Sequence, residues 1–225
     1  MPRNFDVEPF LLSLQVAGLS TLVVVVLGLP AAWILARGDF AGKSLISGLL
    51  TLPLVLPPTV VGYALLLVLG KRGPIGAWLE SNLGVSVVFH WSGAVVASAI
   101  SAFPLFLLPT RAALESVDPG LEAAARTLGS TDLDVFVRVT LPLAWRGPAA
   151  GAILGFARAL GDFGATLMVA GDIPGRTRTA SLAIYDAVQT GDSFTAACMS
   201  SLIAAVSVGA AVAAQRALGR AARRA

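Results

Sequence analysis

Hydrophobic positions in this chain gather in long runs broken by short polar intervals. A membrane-crossing helix needs about 17 to 25 mainly apolar residues, and runs of that length fall at about 11–36, 45–70, 91–110, 141–161 and 194–215. They predict an all-α integral membrane protein, a polytopic bundle of about five transmembrane helices making one domain over 1–225. Between the runs lie a short turn at 37–44, a Gly/Pro-containing loop at 71–90, a polar stretch at 111–140 and a mixed segment at 162–193. Two apolar pieces of that last segment, 165–170 and 182–188, are too short to cross, so they read as re-entrant or interfacial structure packed on the bundle. A sixth span through this segment is the alternative.

Composition agrees with a bilayer as the solvent: 56% of residues are hydrophobic and 13% charged, outside the range of ordinary soluble domains. The formal charge of +3 comes largely from arginines near the ends of the runs, which suits membrane orientation and not nucleic-acid binding. Placing the C-terminus in the cytoplasm puts Arg37, Lys43, Arg111, Arg126, Arg138, Arg216, Arg220, Arg223 and Arg224 inside. Arg3, Lys71, Arg72, Arg176 and Arg178 then lie outside. With five spans the N-terminus is outside. Residues 1–10 carry Asp6 and Glu8 with no basic start or cleavage signal, so the first run is expected to stay as a span. The single Cys198 can form no disulfide within the chain.

Three runs carry more than hydrophobicity. Pro53, Pro57 and Pro58 interrupt the second, and each proline removes a backbone donor, so a bent or broken helix is expected there. The fourth places Gly147, Gly151 and Gly155 four apart, a ridge that admits a close helix neighbour. Near its far end Arg158 and Asp162 lie four apart. They read either as a structural ion pair or as groups beside an anion route, where charge at membrane depth invites a functional role. His90 beside Trp91 opens the third run at an interface, where aromatic belts are common.

The polar stretch is the most informative. Asp118 can cap a helix begun by Pro119, Glu122 falls in its first turn, and Gly129 can supply a left-handed terminus. The helix is about 15 Å long. Leu121, Ala124, Ala125 and Leu128 form a narrow apolar face on it, which fits helix-in-groove docking onto a partner better than the bulky, basic face of a lipid-surface helix. Ser130 or Thr131, with Asp132 and Asp134, starts a second helix that runs into Leu141 and Pro142.

The run Glu122-Ala-Ala-Ala-Arg-Thr-Leu-Gly129, followed by Val139-Thr-Leu-Pro142, resembles the EAA loop of ABC importer permeases. In that family the loop forms the helix that seats in a cleft of the ATP-hydrolysing subunit. The resemblance maps the motif onto Ala123, Ala124, Ala125 and Gly129, with Ala123 at the acid's place and Glu122 one residue earlier. The assignment to ATPase coupling therefore covers Glu122, Ala123, Ala124, Ala125, Gly129, Val139, Leu141 and Pro142. More narrowly, the Leu52–Gly62 segment with its three prolines, Ala157-Arg-Ala-Leu-Gly-Asp-Phe-Gly-Ala-Thr166, and Gly171-Asp-Ile-Pro-Gly-Arg-Thr-Arg-Thr179 resemble the molybdate permease branch. That branch more usually has Glu and Asn where Asp162 and Asp172 stand.

The resemblance implies the type I importer permease fold and a translocation pathway near Pro57, Pro58, Thr59, Gly62, Arg158, Asp162, Phe163, Gly164 and Thr166. It also implies a bacterial inner membrane location and import of molybdate, with tungstate or sulfate as the alternative cargo. A second copy of the chain, two ATP-binding subunits and a periplasmic or extracellular oxyanion-binding protein are its implied partners, with membrane lipid around it. No Walker loop is present, since Gly42-Lys-Ser44 lacks the glycine spacing. ATP and Mg are therefore expected on the partner ATPase, with no cofactor, metal or catalytic group on this chain. A secondary transporter, the rival class, is expected to show inverted repeats and commonly more spans.

Overall fold

A computed structural model describes residues 6–222, and every element in those residues is helical. Arg3, Arg223 and Arg224, three of the orientation-setting cations, lie outside the described residues, as does the side chain of Arg220. Three helices are individually long and apolar enough to cross a bilayer: α1 (Glu8–Arg37), α5 (Trp91–Glu115) and α12 (Ser193–Ala222). Two further candidates are bent pairs, α2 (Lys43–Val55) with α3 (Pro58–Leu69) and α9 (Arg146–Leu160) with α10 (Gly164–Ala170), each a broken span or a re-entrant loop. The total is three to five candidate spans, with five reached if each bent pair is one span.

The breaks follow from residue chemistry. Leu56 and Pro57 each precede a proline, and the proline ring disfavours the helical region for the residue before it. Both adopt extended backbone (ψ 144° and 137°), and α3 leaves α2 at 117°. The expected bend in the second run is thus sharper than a right angle. The second break, at Gly161 to Phe163, is gentler at 63°.

Helices α1, α5 and α9 form the centre. Small side chains bring their backbones together: Ala17, Ala99, Ala102 and Ala159 pack around Phe106 and Leu160, as expected where lipid supplies no hydrophobic drive between helices. The glycine ridge of α9 lies on α5. A Cβ at Gly151 would stand 2.8 Å from the Phe106 carbonyl oxygen, and one at Gly147 would overlap Ala113. Two buried hydroxyls bond across elements. Ser20 donates to the Val95 carbonyl at 2.9 Å, and Ser13 accepts from the Ala180 amide at 2.7 Å. Helix α12 packs on α9 and on α11 (Ala180–Gln189), while α3 packs on α10. Within the segment read as a loop at 71–90, α4 (Pro74–Leu83) starts at a proline and stops at Gly84 with φ +63°.

Candidate functional site

The polar loop forms a compact unit against one end of the bundle. Helix α6 (Pro119–Thr127) starts where Asp118 accepts a 2.8 Å hydrogen bond from the Gly120 amide. It stops at Gly129, whose φ of +91° is left-handed backbone that glycine tolerates best. Hydrogen bonds from the Ser130 amide to the Ala125 carbonyl and from the Gly129 amide to the Arg126 carbonyl close this corner. Thr131 then caps α7 (Asp132–Val135) by accepting from the Asp134 amide. In return its hydroxyl donates to the Asp134 carboxylate at 2.6 Å, which holds that carboxyl below the usual range.

The second helix does not run regularly into the next span. Residues Phe136–Thr140 widen into a π turn, and α8 (Leu141–Ala144) follows. Pro142 has no N–H to give the Arg138 carbonyl, and the turn instead closes from the Leu141 amide to the Phe136 carbonyl. Here Thr140 is buried and Val139 and Leu141 are half-buried, whereas Pro142 is exposed.

On α6 the apolar and acidic residues divide. Leu121 is 50% exposed and Leu128 88% exposed, and Ala123 and Ala124 are exposed beside them, with Ala125 half-buried. Glu122 turns the other way and is only 4% exposed. Its Oε1 accepts from Arg37 Nη2 at 2.7 Å, Arg37 Nε at 3.1 Å and Thr140 Oγ1 at 2.7 Å. Arg37, the last residue of α1, also donates to the Val117 carbonyl. The sequence assigned Glu122 to the docking set without indicating this partner 85 residues upstream.

The other candidate residues meet where the two bent pairs cross. A Cβ at Gly164 would lie 3.0 Å from Pro58 Cβ and 3.6 Å from the Thr59 amide nitrogen, and one at Gly62 would lie 2.7 Å from Met168 Cβ. Pro58, Thr59 and Gly62 on α3 thus face Gly164, Ala165 and Met168 on α10. Asp162, 2% exposed, holds the α9 to α10 corner: its Oδ1 receives Arg158 Nη1 at 2.9 Å. Its Oδ2 receives the Thr166 amide and hydroxyl. Thr166 Oγ1 in turn lies 3.3 Å from Ser98 Oγ on α5. This geometry favours the structural reading of the Arg158–Asp162 pair. Phe163 stacks at a tilt on Tyr185, 5.2 Å between ring centres, and Pro57 forms the extended hinge before α3.

At the opposite end of α1 a cavity of about 500 Å³ opens between Glu8, Gln15, Arg178, Asp186 and Met199. Arg178 is held by Asp172 at 2.7 Å and Asp186 at 2.9 Å. Burial pulls its guanidinium pKa down, but these two carboxylates outweigh that and keep it above its ordinary value. The added charge of Asp172 is thereby matched. His90 serves as the N-cap of α5, its Nδ1 accepting from the Ser92 amide.

Residues 25–224 match the family described as binding-protein-dependent transport system inner membrane component. The chain is 49% identical to the molybdenum transport system permease protein ModB of Haemophilus influenzae over 82% of its own length and 81% of the relative's. It is 37% identical to the sulfate transport system permease protein CysW of Synechocystis over 92% of its length and 75% of the relative's. Among solved structures, the MetNI methionine ABC transporter aligns with TM-score 0.71 at 18% identity over 94% of both chains. A bacterial alginate ABC transporter in complex with its alginate-bound periplasmic protein aligns with TM-score 0.72 at 18% identity, over 96% of this chain and 78% of that one. These two likenesses concern the fold.

Proposed function

This chain belongs to the family of binding-protein-dependent transport system inner membrane components, and from that premise we propose that it is the permease subunit of an ATP-driven importer of molybdate. The observation that carries the coupling half of this reading is α6: a capped helix held rigidly at the bundle end while Leu121, Ala124 and Leu128 stand uncovered. A short helix with a narrow apolar face suits a groove on a partner subunit. That partner is an ATP-hydrolysing chain, which supplies ATP and Mg, and this chain performs no catalysis. One chain carries one such helix, so two copies and two ATPase subunits form the transporter. A periplasmic or extracellular binding protein delivers the ion to the opposite end, near the Arg178 cavity.

Identity of 49% to a molybdenum permease supports molybdate as the cargo. Sulfate is the competing cargo, supported by the longer but weaker match to a sulfate permease. The pathway runs past the α3 to α10 crossing, where Gly62 and Gly164 leave the helices without side chains at contact and both bent pairs can pivot at their breaks. Broken helices at such depth are tolerated where they face protein or a water-filled cavity. The α6 end lies in the cytoplasm, which puts the C-terminus inside and the N-terminus outside. Co-purification tests the assembly. A tagged chain from its native membrane is expected to bring down an ATPase subunit, and Leu128→Glu is expected to release it. A chain that brings down no ATPase, or a Leu128→Glu chain that keeps it, contradicts the reading.

A further inference from the structure

We infer that Glu122 is not a contact to the ATPase but the internal pin that transmits movement of α6 to the end of α1 and to the π turn entering α9. The inference rests on the docking reading above and deepens it. Three observations place the pin. Glu122 sits about 100° around α6 from Leu121, buried while Leu121 and Leu128 are exposed. One carboxylate oxygen gathers two donors from Arg37 and one from Thr140, so a single atom joins α6, α1 and the π turn. The same two elements touch a second time through Trp33 and Phe136, 5.1 Å between ring centres, and share an apolar cluster with Leu35, Leu107, Leu114 and Ala144.

The remaining ties of α6 are weaker. Arg126 reaches the other carboxylate oxygen of Glu122 only at 3.9 Å and spends its short contact on Asp132 at 2.9 Å, on the exposed surface. Exposed pairs of that kind contribute little, whereas charge-assisted hydrogen bonds at a buried carboxylate are the strong ones. A pull on α6 is therefore borne by Glu122. The π turn beneath it, Phe136–Thr140, is the irregular element of this region, and such single-turn bulges inside helices fall frequently at functional sites. Glu122 is thus a positioning residue, acting through Arg37 and Thr140 without touching cargo or nucleotide.

The test uses the complete transporter in vesicles and reads the amount of cargo moved per ATP hydrolysed. A merely structural role lowers the number of intact complexes and leaves that ratio unchanged. Glu122→Gln, nearly isosteric, keeps a bond to Thr140 and removes the charge that holds Arg37. It is expected to keep the ATPase subunit bound and basal hydrolysis within about twofold, while the transport ratio falls about tenfold, the factor one charge-assisted hydrogen bond represents. Arg37→Ala is expected to lower the ratio similarly, and the double variant to be no worse than the poorer single, since both remove one link. A ratio at the wild-type level in both single variants overturns the pin. So does loss of the ATPase subunit from Glu122→Gln with its retention in Arg37→Ala, because that pattern places Glu122 at the partner. If Leu128→Glu leaves the ATPase bound, the docking reading fails instead, whatever Glu122 does.

Discussion

Replacing Gly129 with valine puts a branched side chain on a backbone at φ +91°, while a Cβ there would meet nothing within 4 Å. The Cβ itself thus meets no obstacle, and the penalty is taken as conformational. Left-handed backbone costs an L-residue about 1–2 kcal/mol, and branching at Cβ brings it to the upper part of that range. Opposing it are the two backbone bonds that close the corner, Ser130 to Ala125 at 3.2 Å and Gly129 to Arg126 at 3.0 Å, each worth about 0.5–1.5 kcal/mol net. The strain is comparable to what holds the corner shut, so the corner should open in a large fraction of molecules and the angle between α6 and α7 should be lost. With tenfold per 1.4 kcal/mol, substrate-stimulated hydrolysis and uptake should fall together by about 5- to 30-fold. Membrane insertion should survive, because the residue lies outside every candidate span. Gly129→Asn, whose side chain tolerates left-handed backbone, should lose less than half as much on a logarithmic scale. Reconstituted vesicles with loaded binding protein provide the assay. Wild-type uptake and stimulated hydrolysis in Gly129→Val would refute the role of the corner, and equal losses in the Asn and Val variants would refute its backbone origin.

Gly151→Ala should destabilise the detergent-solubilised protein by about 1–3 kcal/mol through overpacking against α5, because its Cβ would stand 2.8 Å from a carbonyl oxygen. Gly155→Ala, with 3.8 Å of space, should be near neutral in the same thermal melt. Asp162→Ala strands Arg158 and the two Thr166 donors and should cost about 1–3 kcal/mol, whereas Arg158→Ala together with Asp162→Ala should recover part of that loss. Equal melts for the single and double variants would remove the ion pair from the account. In a Cys198→Ala background, an impermeant thiol reagent applied to intact cells should label Ser81→Cys and leave Leu128→Cys unlabelled. The reverse pattern would invert the proposed topology.

What could be read from the residues alone was the chemistry of short range. Asp118, Pro119 and Gly129 announce the ends of α6 because capping and left-handed backbone depend on immediate neighbours. Paired prolines announce a break between α2 and α3, but its 117° angle depends on where α3 finds α10, which sequence spacing does not carry. Pro74 and Gly84 bracket α4, yet the glycine and proline density around them reads as a loop. The direction of Glu122 was invisible for a different reason. The motif places it on the docking helix, and only the fold brings Arg37 from the end of α1 and Thr140 from the π turn to its carboxylate. The Arg158–Asp162 contact, one of the two readings open in the sequence, was legible because Arg158 and Thr166 are each four residues from Asp162.

We propose that this chain carries molybdate across a membrane only when a separate subunit hydrolyses ATP. The most direct test is uptake of labelled molybdate into vesicles holding the purified chain, its ATPase subunit and external binding protein, with ATP enclosed. Uptake that requires all three proteins and ATP, and that excess unlabelled molybdate suppresses at lower concentration than sulfate, is the predicted result. Uptake that persists without the ATPase subunit, or that follows an imposed ion gradient in the absence of ATP, would contradict it.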